Sequence, residues 1–397
     1  MKRTIYVVDD QPEVLETTVM ILRALMPDAE VTGFTQPRGA LAAVQTSPPD
    51  LILTDQLMPD MRGGELLEEV RRIAPSTLRV VMSGYVSLDK LTTTTPAHQY
   101  MAKPFDGMKL KAMLARIFAA QERFADAGLR RVVTEMRTLP SLPQVHQTLL
   151  AELEDNRNAA AAIGQMVAQD AGLSAKVLQL ANSPLLGRAS YLITSPAEAV
   201  LCLGTNMIAA VILGQTLFKH FDAKTHPALD LPRLWNHCWE TAALAQAFCR
   251  EQGLPRAVRE EAFLAGLLHE TGRLILIDNF PDKFQEVCDA AVRANVPLGP
   301  RLREAFQASP AQAGGYLLDL WGMPENVAAA VSLLDAPEDE GATQFSLAAA
   351  LYIGDHVATL KYPPDPCPPM EWKAAYVRSL GCAEDLKFWL RDESNME

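Results

Sequence analysis

The chain has 397 residues, a formal net charge of −12 and 49% hydrophobic residues. A domain of ordinary size holds roughly 100–200 residues, so this length predicts two or three folded units. The acidic balance argues against broad attraction to nucleic acid or anionic membrane, and no basic helix or helix-turn-helix pattern stands out in the second half. Six cysteines, at positions 202, 238, 249, 288, 367 and 382, show no paired spacing. They fit reduced thiols better than a disulfide framework or zinc ribbon. The N-terminus enters a strand pattern with no signal-peptide apolar region, so a cytoplasmic location is expected.

Taken in chain order, apolar runs at Ile5–Val8, Leu51–Leu53, Val80–Met82 and Gln99–Met101 read as strands. Each ends at polar or charged residues: Asp9-Asp10, Asp55, Ser83 and Lys103. Between them, Val14, Thr18, Ile21, Leu22 and Leu25, then Leu66, Leu67, Val70 and Ile73, recur at helical spacing. This alternation over about 110 residues predicts an open α/β sheet, whose ligands bind beyond the carboxyl ends of the strands. Asp9, Asp10 and Asp55 meet there. Mg²⁺ favours carboxylate and carbonyl oxygens, and its charge lets a phosphoryl group approach a carboxylate.

The ordered series Asp9-Asp10, Asp55 with Met58-Pro59-Asp60 and Gly63-Gly64, Ser83-Gly84, and Lys103-Pro104-Phe105 resembles the receiver domain of two-component response regulators. The resemblance covers residues 1–120. It implies a flavodoxin-like, five-stranded parallel sheet of order 2-1-3-4-5, with Asp55 accepting a phosphoryl group from a sensor histidine kinase. By the same resemblance, Asp10, Asp55 and the backbone carbonyl of Leu57 hold Mg²⁺ with Asp9 nearby. Ser83 and Lys103 contact the phosphoryl oxygens, and Tyr100 is the switch aromatic. Lys103-Pro104 would carry a cis peptide, a conformation nearly confined to X-Pro bonds.

From Met108 to Leu139 apolar residues continue at helical spacing through Leu110, Leu114, Ile117, Phe124, Val132 and Met136. Residues 121–139 are expected to form a connector helix. Two readings fit: a coiled-coil seam that would join two copies, or a helix folded on its own domain. Pro140 and Pro143 mark a boundary.

Beyond Pro140 strand signals fade. Ile163–Gln169, Leu173–Asn182, Leu234–Cys249 and Ala262–His269 have helical period, which predicts an all-α domain over 140–335 and a helical extension over 336–397. Ala199–Phe218 is uncharged and long enough to span a bilayer. Gly204-Thr205-Asn206 breaks that run and Gln215 follows, so two buried helices joined at a turn are expected and no membrane insertion. Trp235, Trp239 and Trp321 are expected in the core. Asp335–Gly341 and Pro363–Pro369 read as solvated linkers. The tail from Met370, with Trp372, Tyr376, Phe388 and Trp389, is expected to dock one or two helices.

A second resemblance rests on several motifs together. They are Leu139-Pro-Ser-Leu-Pro143, Gln169-Asp-Ala-Gly-Leu-Ser-Ala-Lys-Val-Leu178, Leu180-Ala-Asn-Ser-Pro184, the stretch from Ala199 to Leu203-Gly204, Leu234-Trp-Asn-His237 and Ala265-Gly-Leu-Leu-His-Glu-Thr-Gly272. This series is similar to the HDOD family, the HD-related output domain. Its HD phosphohydrolase relatives bind metal through histidines and aspartates, and His237, His269, Glu270 and Asp355 stand in those places.

The chain departs from that pattern. Glu270 replaces the aspartate of the His-Asp doublet, Ser309-Pro310-Ala311 stands where a further histidine is common, and Ser332-Leu-Leu-Asp335 replaces a His-His motif. The expectation is therefore a domain without metal, with His237 and His269 as core histidines satisfied by nearby carbonyls and Glu270 capping or pairing locally. Such a domain would bind an unidentified downstream signalling protein. The alternative is a receiver-regulated, metal-dependent phosphohydrolase or cyclic di-GMP phosphodiesterase. The Gly-Tyr-Pro signature of HD-GYP enzymes is absent, since Gly314-Gly-Tyr-Leu317 has no proline.

Overall fold

The computed structural model describes residues 3–83, 97, 99–103, 107–123, 128, 129, 132, 163, 164, 167, 168, 171–182, 193–220, 230–321 and 323–381. The chain divides into two compact units.

The N-terminal unit runs β1 (Thr4–Val8), α1 (Pro12–Leu25), β2 (Glu30–Phe34), α2 (Pro37–Thr46), β3 (Leu51–Asp55), α3 (Gly63–Ile73), β4 (Leu78–Ser83), β5 (Gln99–Ala102) and α4 (Gly107–Arg123). The five strands are parallel, in the order β2-β1-β3-β4-β5. This is the order implied by the receiver resemblance. Parallel sheets carry helices on both faces, so inner strands are apolar throughout rather than alternating. β3 is buried at every position and β1 at all but its first.

The strand that the apolar runs overlooked is β2. It lies at the sheet edge, and of Glu30-Val-Thr-Gly-Phe34 only Val31 is buried. In α1 the buried residues are Leu15, Thr18 and Leu22, so the inward stripe includes Leu15 in place of Val14. α1 and α2 both begin on proline, whose missing N–H is harmless in a first helical turn. α4 buries Leu110, Leu114 and Ile117 as the spacing predicts. Most of the expected connector beyond it lies outside the described residues.

The C-terminal unit contains helices and turns, with no strand among the described residues. In order these are α5 (Ala171–Ala181), α6 (Pro196–Leu203), α7 (Thr205–His220), α8 (Leu231–Glu251), α9 (Arg256–Leu268), α10 (Thr271–Asn279), α11 (Pro281–Ala294), α12 (Leu298–Phe306), α13 (Pro310–Leu320), α14 (Glu325–Ser332), a 3-10 turn (Pro337–Glu340), α15 (Leu347–Lys361) and α16 (Ala374–Ser379). The uncharged stretch is the bent pair α6 and α7, turned by 112° at Gly204, whose φ is +90°. Among the described residues no single helix is long and apolar enough to cross a membrane.

The centre of this unit is α8. It starts at Asp230, whose carboxylate accepts the Arg233 N–H at 3.1 Å, and it is buried without interruption from Thr241 to Cys249. A helix buried on all sides must be apolar or small on all sides. Two glycines let its neighbours come close. A Cβ on Gly266 of α9 would lie 2.3 Å from the Ala242 Cα, and one on Gly354 of α15 would lie 3.1 Å from the Thr241 carbonyl.

Several local expectations change. Pro363–Pro369 is not a solvated linker: Cys367 is buried and the run lines a cavity. The Asp335–Gly341 segment is a 3-10 turn with Pro337 buried, while residues 338–341 are exposed. For the proline run the linker reading fails because Cys367 packs inward and Asp365 pairs with Arg273 at 2.7 Å, although the prolines themselves are half-buried or exposed. Trp321 is buried as expected; Trp235 is half-buried and meets Phe218 edge to face at 5.0 Å. The tail docks through α16 and through Trp372, stacked on Tyr352 at 5.5 Å. Phe388, Trp389 and Cys382 lie outside the described residues, and the other five cysteines are free thiols.

Candidate functional site

Parallel register aligns the ends of β1, β3, β4 and β5: Val8 faces Thr54, Asp55 faces Met82, and Ser83 faces Ala102. Asp9 and Lys103 each follow the last residue of their strand. This brings the Lys103 ammonium 2.6 Å from Asp9 Oδ2 and into a second hydrogen bond with Asp55 Oδ1. The other Asp55 oxygen accepts the Leu57 N–H at 2.7 Å, and Asp9 Oδ1 accepts the Gln11 N–H at 3.1 Å. Burial opposes the charge on Lys103. Asp55 and Asp9 more than offset that cost and hold its pKa above the ordinary lysine value.

The turn after β3 is shaped around Asp55. The Gly63 N–H donates to the Gln56 carbonyl at 3.1 Å, and a Cβ on Gly63 would fall 2.1 Å from the Asp55 carbonyl oxygen. A side chain there would break the turn. Asp60 takes a left-handed φ of +67°, a conformation that aspartate tolerates better than most residues. Asp10 Oδ1 is buried with no hydrogen-bond partner. A buried carboxylate oxygen without a donor calls for a cation, so Asp9, Asp10 and Asp55 fit Mg²⁺ in both donor type and charge. Ser83 ends β4 and Tyr100 lies on β5, but their side chains lie outside what the structure describes, as do Gly84, Pro104 and Phe105.

In the C-terminal unit, His237 from α8, His269 at the end of α9 and Asp355 from α15 converge. His237 Nε2 lies 3.1 Å from His269 Nε2 and 2.9 Å from Asp355 Oδ1, and His269 Nε2 lies 3.2 Å from the same carboxylate oxygen. Gly266 and Gly354, which allow the close helix crossings, stand three residues before His269 and one before Asp355. The packing of the bundle and the assembly of the cluster are therefore one event.

The carbonyl expectation holds for only one ring nitrogen. His269 Nδ1 meets the Gly266 carbonyl at 2.7 Å, whereas His237 Nδ1 is buried without a partner. The two Nε2 atoms face each other and the carboxylate instead, because the three helices cross there. Burial opposes ionisation of Asp355, but its bonds to His237 and His269 prevail and hold its pKa well below the usual range. Burial likewise opposes charge on His269, and Asp355 raises its pKa in spite of that.

Glu270 sits at the edge of this group. Its Oε1 is 3.8 Å from His269 Nε2, and its Oε2 is 2.8 Å from Arg273 Nε. Donor atoms of His237, His269 and Glu270 all lie within 4.8 Å of one another. The ligands of a tetrahedral ion with bonds of about 2.0–2.1 Å are about 3.3 Å apart, close to the spacing of the two histidines and Asp355. Sequence reasoning missed Arg273 and its partner Asp365, 2.7 Å away. The i,i+3 spacing of Glu270 and Arg273 was a readable signal; nothing in the sequence linked Asp365 to them.

Comparison with known proteins assigns both halves. The HDOD domain model matches residues 139–337, and the response regulator receiver domain model matches residues 5–115. Asp355 therefore lies beyond the matched HDOD segment. An uncharacterized protein of Treponema pallidum is 23% identical over 211 residues, 51% of this chain and 39% of that protein. The transcriptional regulatory protein KdpE of Mycobacterium tuberculosis is 33% identical over 138 residues, 33% of this chain and 57% of that one. In both cases less than two thirds of the relative's length is spanned. Among solved structures, an HDOD domain protein of unknown function from Geobacter sulfurreducens is 22% identical, with a TM-score of 0.50 over 71% of this chain and 90% of that chain. That likeness concerns the fold alone.

Proposed function

The chain belongs to the HDOD family and carries a response regulator receiver domain at its N-terminus, and from this premise we propose that Asp55 is the phosphoryl acceptor through which a sensor histidine kinase controls an HDOD output that binds a protein partner. Phosphorylation-dependent signalling by a two-component kinase follows from the receiver domain itself. The observation that carries the finer assignment is the Asp55 carboxylate at the end of β3, held by the Leu57 N–H and the Lys103 ammonium beside Asp9.

Each residue has a role in the transfer. An Asp55 oxygen attacks phosphorus, and its new P–O bond forms as the bond to the donor's histidine breaks. Lys103, already bound to Asp55, shifts toward the phosphoryl oxygens that arrive there and offsets their charge. Mg²⁺ at Asp9, Asp10 and Asp55 would supply further neutralisation of the crowded oxygens. Ser83 and Tyr100 are assigned as phosphoryl contact and switch aromatic on the resemblance alone. A small-molecule phosphodonor with Mg²⁺ should add one phosphoryl group to wild type and none to Asp55→Asn, read by intact-protein mass. Equal labelling of the variant would remove the assignment. The output claim is tested by pull-downs with and without phosphodonor, and identical partner sets would oppose it.

A second reading is favoured by one observation, the convergence of His237, His269 and Asp355 within 3.2 Å. On that reading the C-terminal domain is a metal-dependent phosphohydrolase. Against it, one of the two Glu270 oxygens is paired with Arg273 at 2.8 Å, which leaves only the other, 3.8 Å from His269, to face the cluster. Elemental analysis followed by a cyclic-dinucleotide assay separates the two. Stoichiometric transition metal, with turnover lost in His269→Ala, would establish the enzyme.

A further inference from the structure

Five of the seven residues from Pro363 to Pro369 are proline. Proline fixes φ near −65° and has no N–H, so such a run is stiff and unable to join a helix; here it bends at residues 364–367. Its only backbone donors are those of Asp365 and Cys367. The Cys367 N–H donates to Asp365 Oδ1 at 2.9 Å, and Asp365 Oδ2 accepts from Arg273 Nη1 at 2.7 Å. One carboxylate both shapes the run and fastens it to α10.

The run is also tied at its ends. Upstream, the Tyr362 N–H closes α15 on the Ala358 carbonyl at 2.7 Å. Downstream, the Lys373 N–H donates to the Tyr352 hydroxyl at 2.8 Å, and Trp372 lies over Tyr352 and beside His356. Between these ties the run borders a cavity of about 120 Å³. The same cavity is lined by His269, Glu270 and Asp355 and by Pro364, Cys367 and Met370. Arg273 joins the two sets, with Nε toward Glu270 and Nη1 toward Asp365. A stiff segment has few internal rotations, so a single mid-span contact decides its position.

We infer that residues 363–370 are a strap that closes the cavity of the histidine cluster, latched by Asp365 on Arg273, and that loss of this ion pair opens it. The strap lies beyond the matched HDOD segment, and it closes the cavity whether the cluster holds a metal or not. Asp335 and Lys373 also line this cavity. Their ion-pair partners, Arg303 and Glu338, are separate from the latch, so they do not substitute for it.

Cys367 reports the state of the strap. It is 9% exposed, and burial together with Asp365 pushes its thiol up to about 11, so alkylation is slow while the latch holds. The test uses the full chain, iodoacetamide and peptide-resolved mass spectrometry. Asp365→Asn keeps an oxygen to accept the Cys367 N–H and removes the charge paired with Arg273. Cys367 should then alkylate about tenfold faster or more, a rise that combines local opening with the loss of the Asp365 charge beside the thiol. Cys249, fully buried in α8, should stay protected, which separates strap release from unfolding. Arg273→Met, which removes the cation that favours the Cys367 thiolate, should also label faster at Cys367, so that the rise reports opening of the strap and not the thiol's own ionisation. Asp365→Glu should restore slow labelling. An unchanged Cys367 rate in Arg273→Met, or a rise matched at Cys249, would overturn the strap.

Discussion

Asp9, Asp55 and Lys103 stand at or just beyond the ends of three parallel strands, whereas His237, His269 and Asp355 come from three helices that cross in a bundle. At the sheet, register does the positioning. Once β1, β3, β4 and β5 pair in order, the residues at the ends of the strands face the same edge, and the charges meet there although Asp9 and Asp55 are buried. In the bundle nothing comparable exists, and the donors meet only because Gly266 and Gly354 let two helices approach α8. The first site is set by strand pairing; the second shares its geometry with the packing that stabilises the domain.

The largest effect that tests this contrast is chemical. Asp55→Asn should reduce phosphodonor labelling from one group to none while leaving thermal unfolding of the helical unit unchanged, as followed by circular dichroism. Next comes Asp355→Ala, which leaves two histidines facing each other in a buried place. Removing one partner of a buried pair costs roughly 3–5 kcal/mol, and the lower end applies because the Asp355 side chain is 26% exposed. Urea unfolding should show that loss in one transition only. A cost of about zero would mean that the cluster is not integral to the bundle.

Gly266→Ala should cost about 1–3 kcal/mol, the usual range for overpacking, because its new Cβ meets backbone on α8. Gly63→Ala should have a similar cost in the receiver and should also slow labelling of Asp55, which Gly266→Ala should leave alone. If both substitutions slowed labelling equally, the separation of site from packing would fail. The smallest effect belongs to Arg71→Ala. It removes an exposed i,i+3 pair with Glu68 and should change stability by about 0.2–0.5 kcal/mol, with labelling intact.

Receiver residues were legible because each is tied to a local signal, an apolar run that stops at a charge. Asp9, Asp55, Ser83 and Lys103 all fell out of that one rule. Strand β2 did not, because an edge strand with one buried side chain carries little apolar signal. In the helical half the motifs located His237, His269 and Glu270, and Asp355 was placed only by position. The sequence suggested a degraded site, since substitutions such as Glu270 for aspartate remove expected ligands. It could not show that the two histidines and Asp355 still come within 3.2 Å of one another.

What the sequence determined by itself was the alternation that makes the first half a parallel sheet, the helical second half and the carboxylate of Asp55 at the end of a buried strand. These depend on periodicity and on neighbours a few residues apart. Tertiary structure alone decided that Asp365 reaches Arg273, and that a proline run read as a linker borders the histidine cavity. Those contacts span up to 92 residues. No local pattern encodes them, because they are selected by which helices can approach closely enough to exclude water and satisfy buried charge.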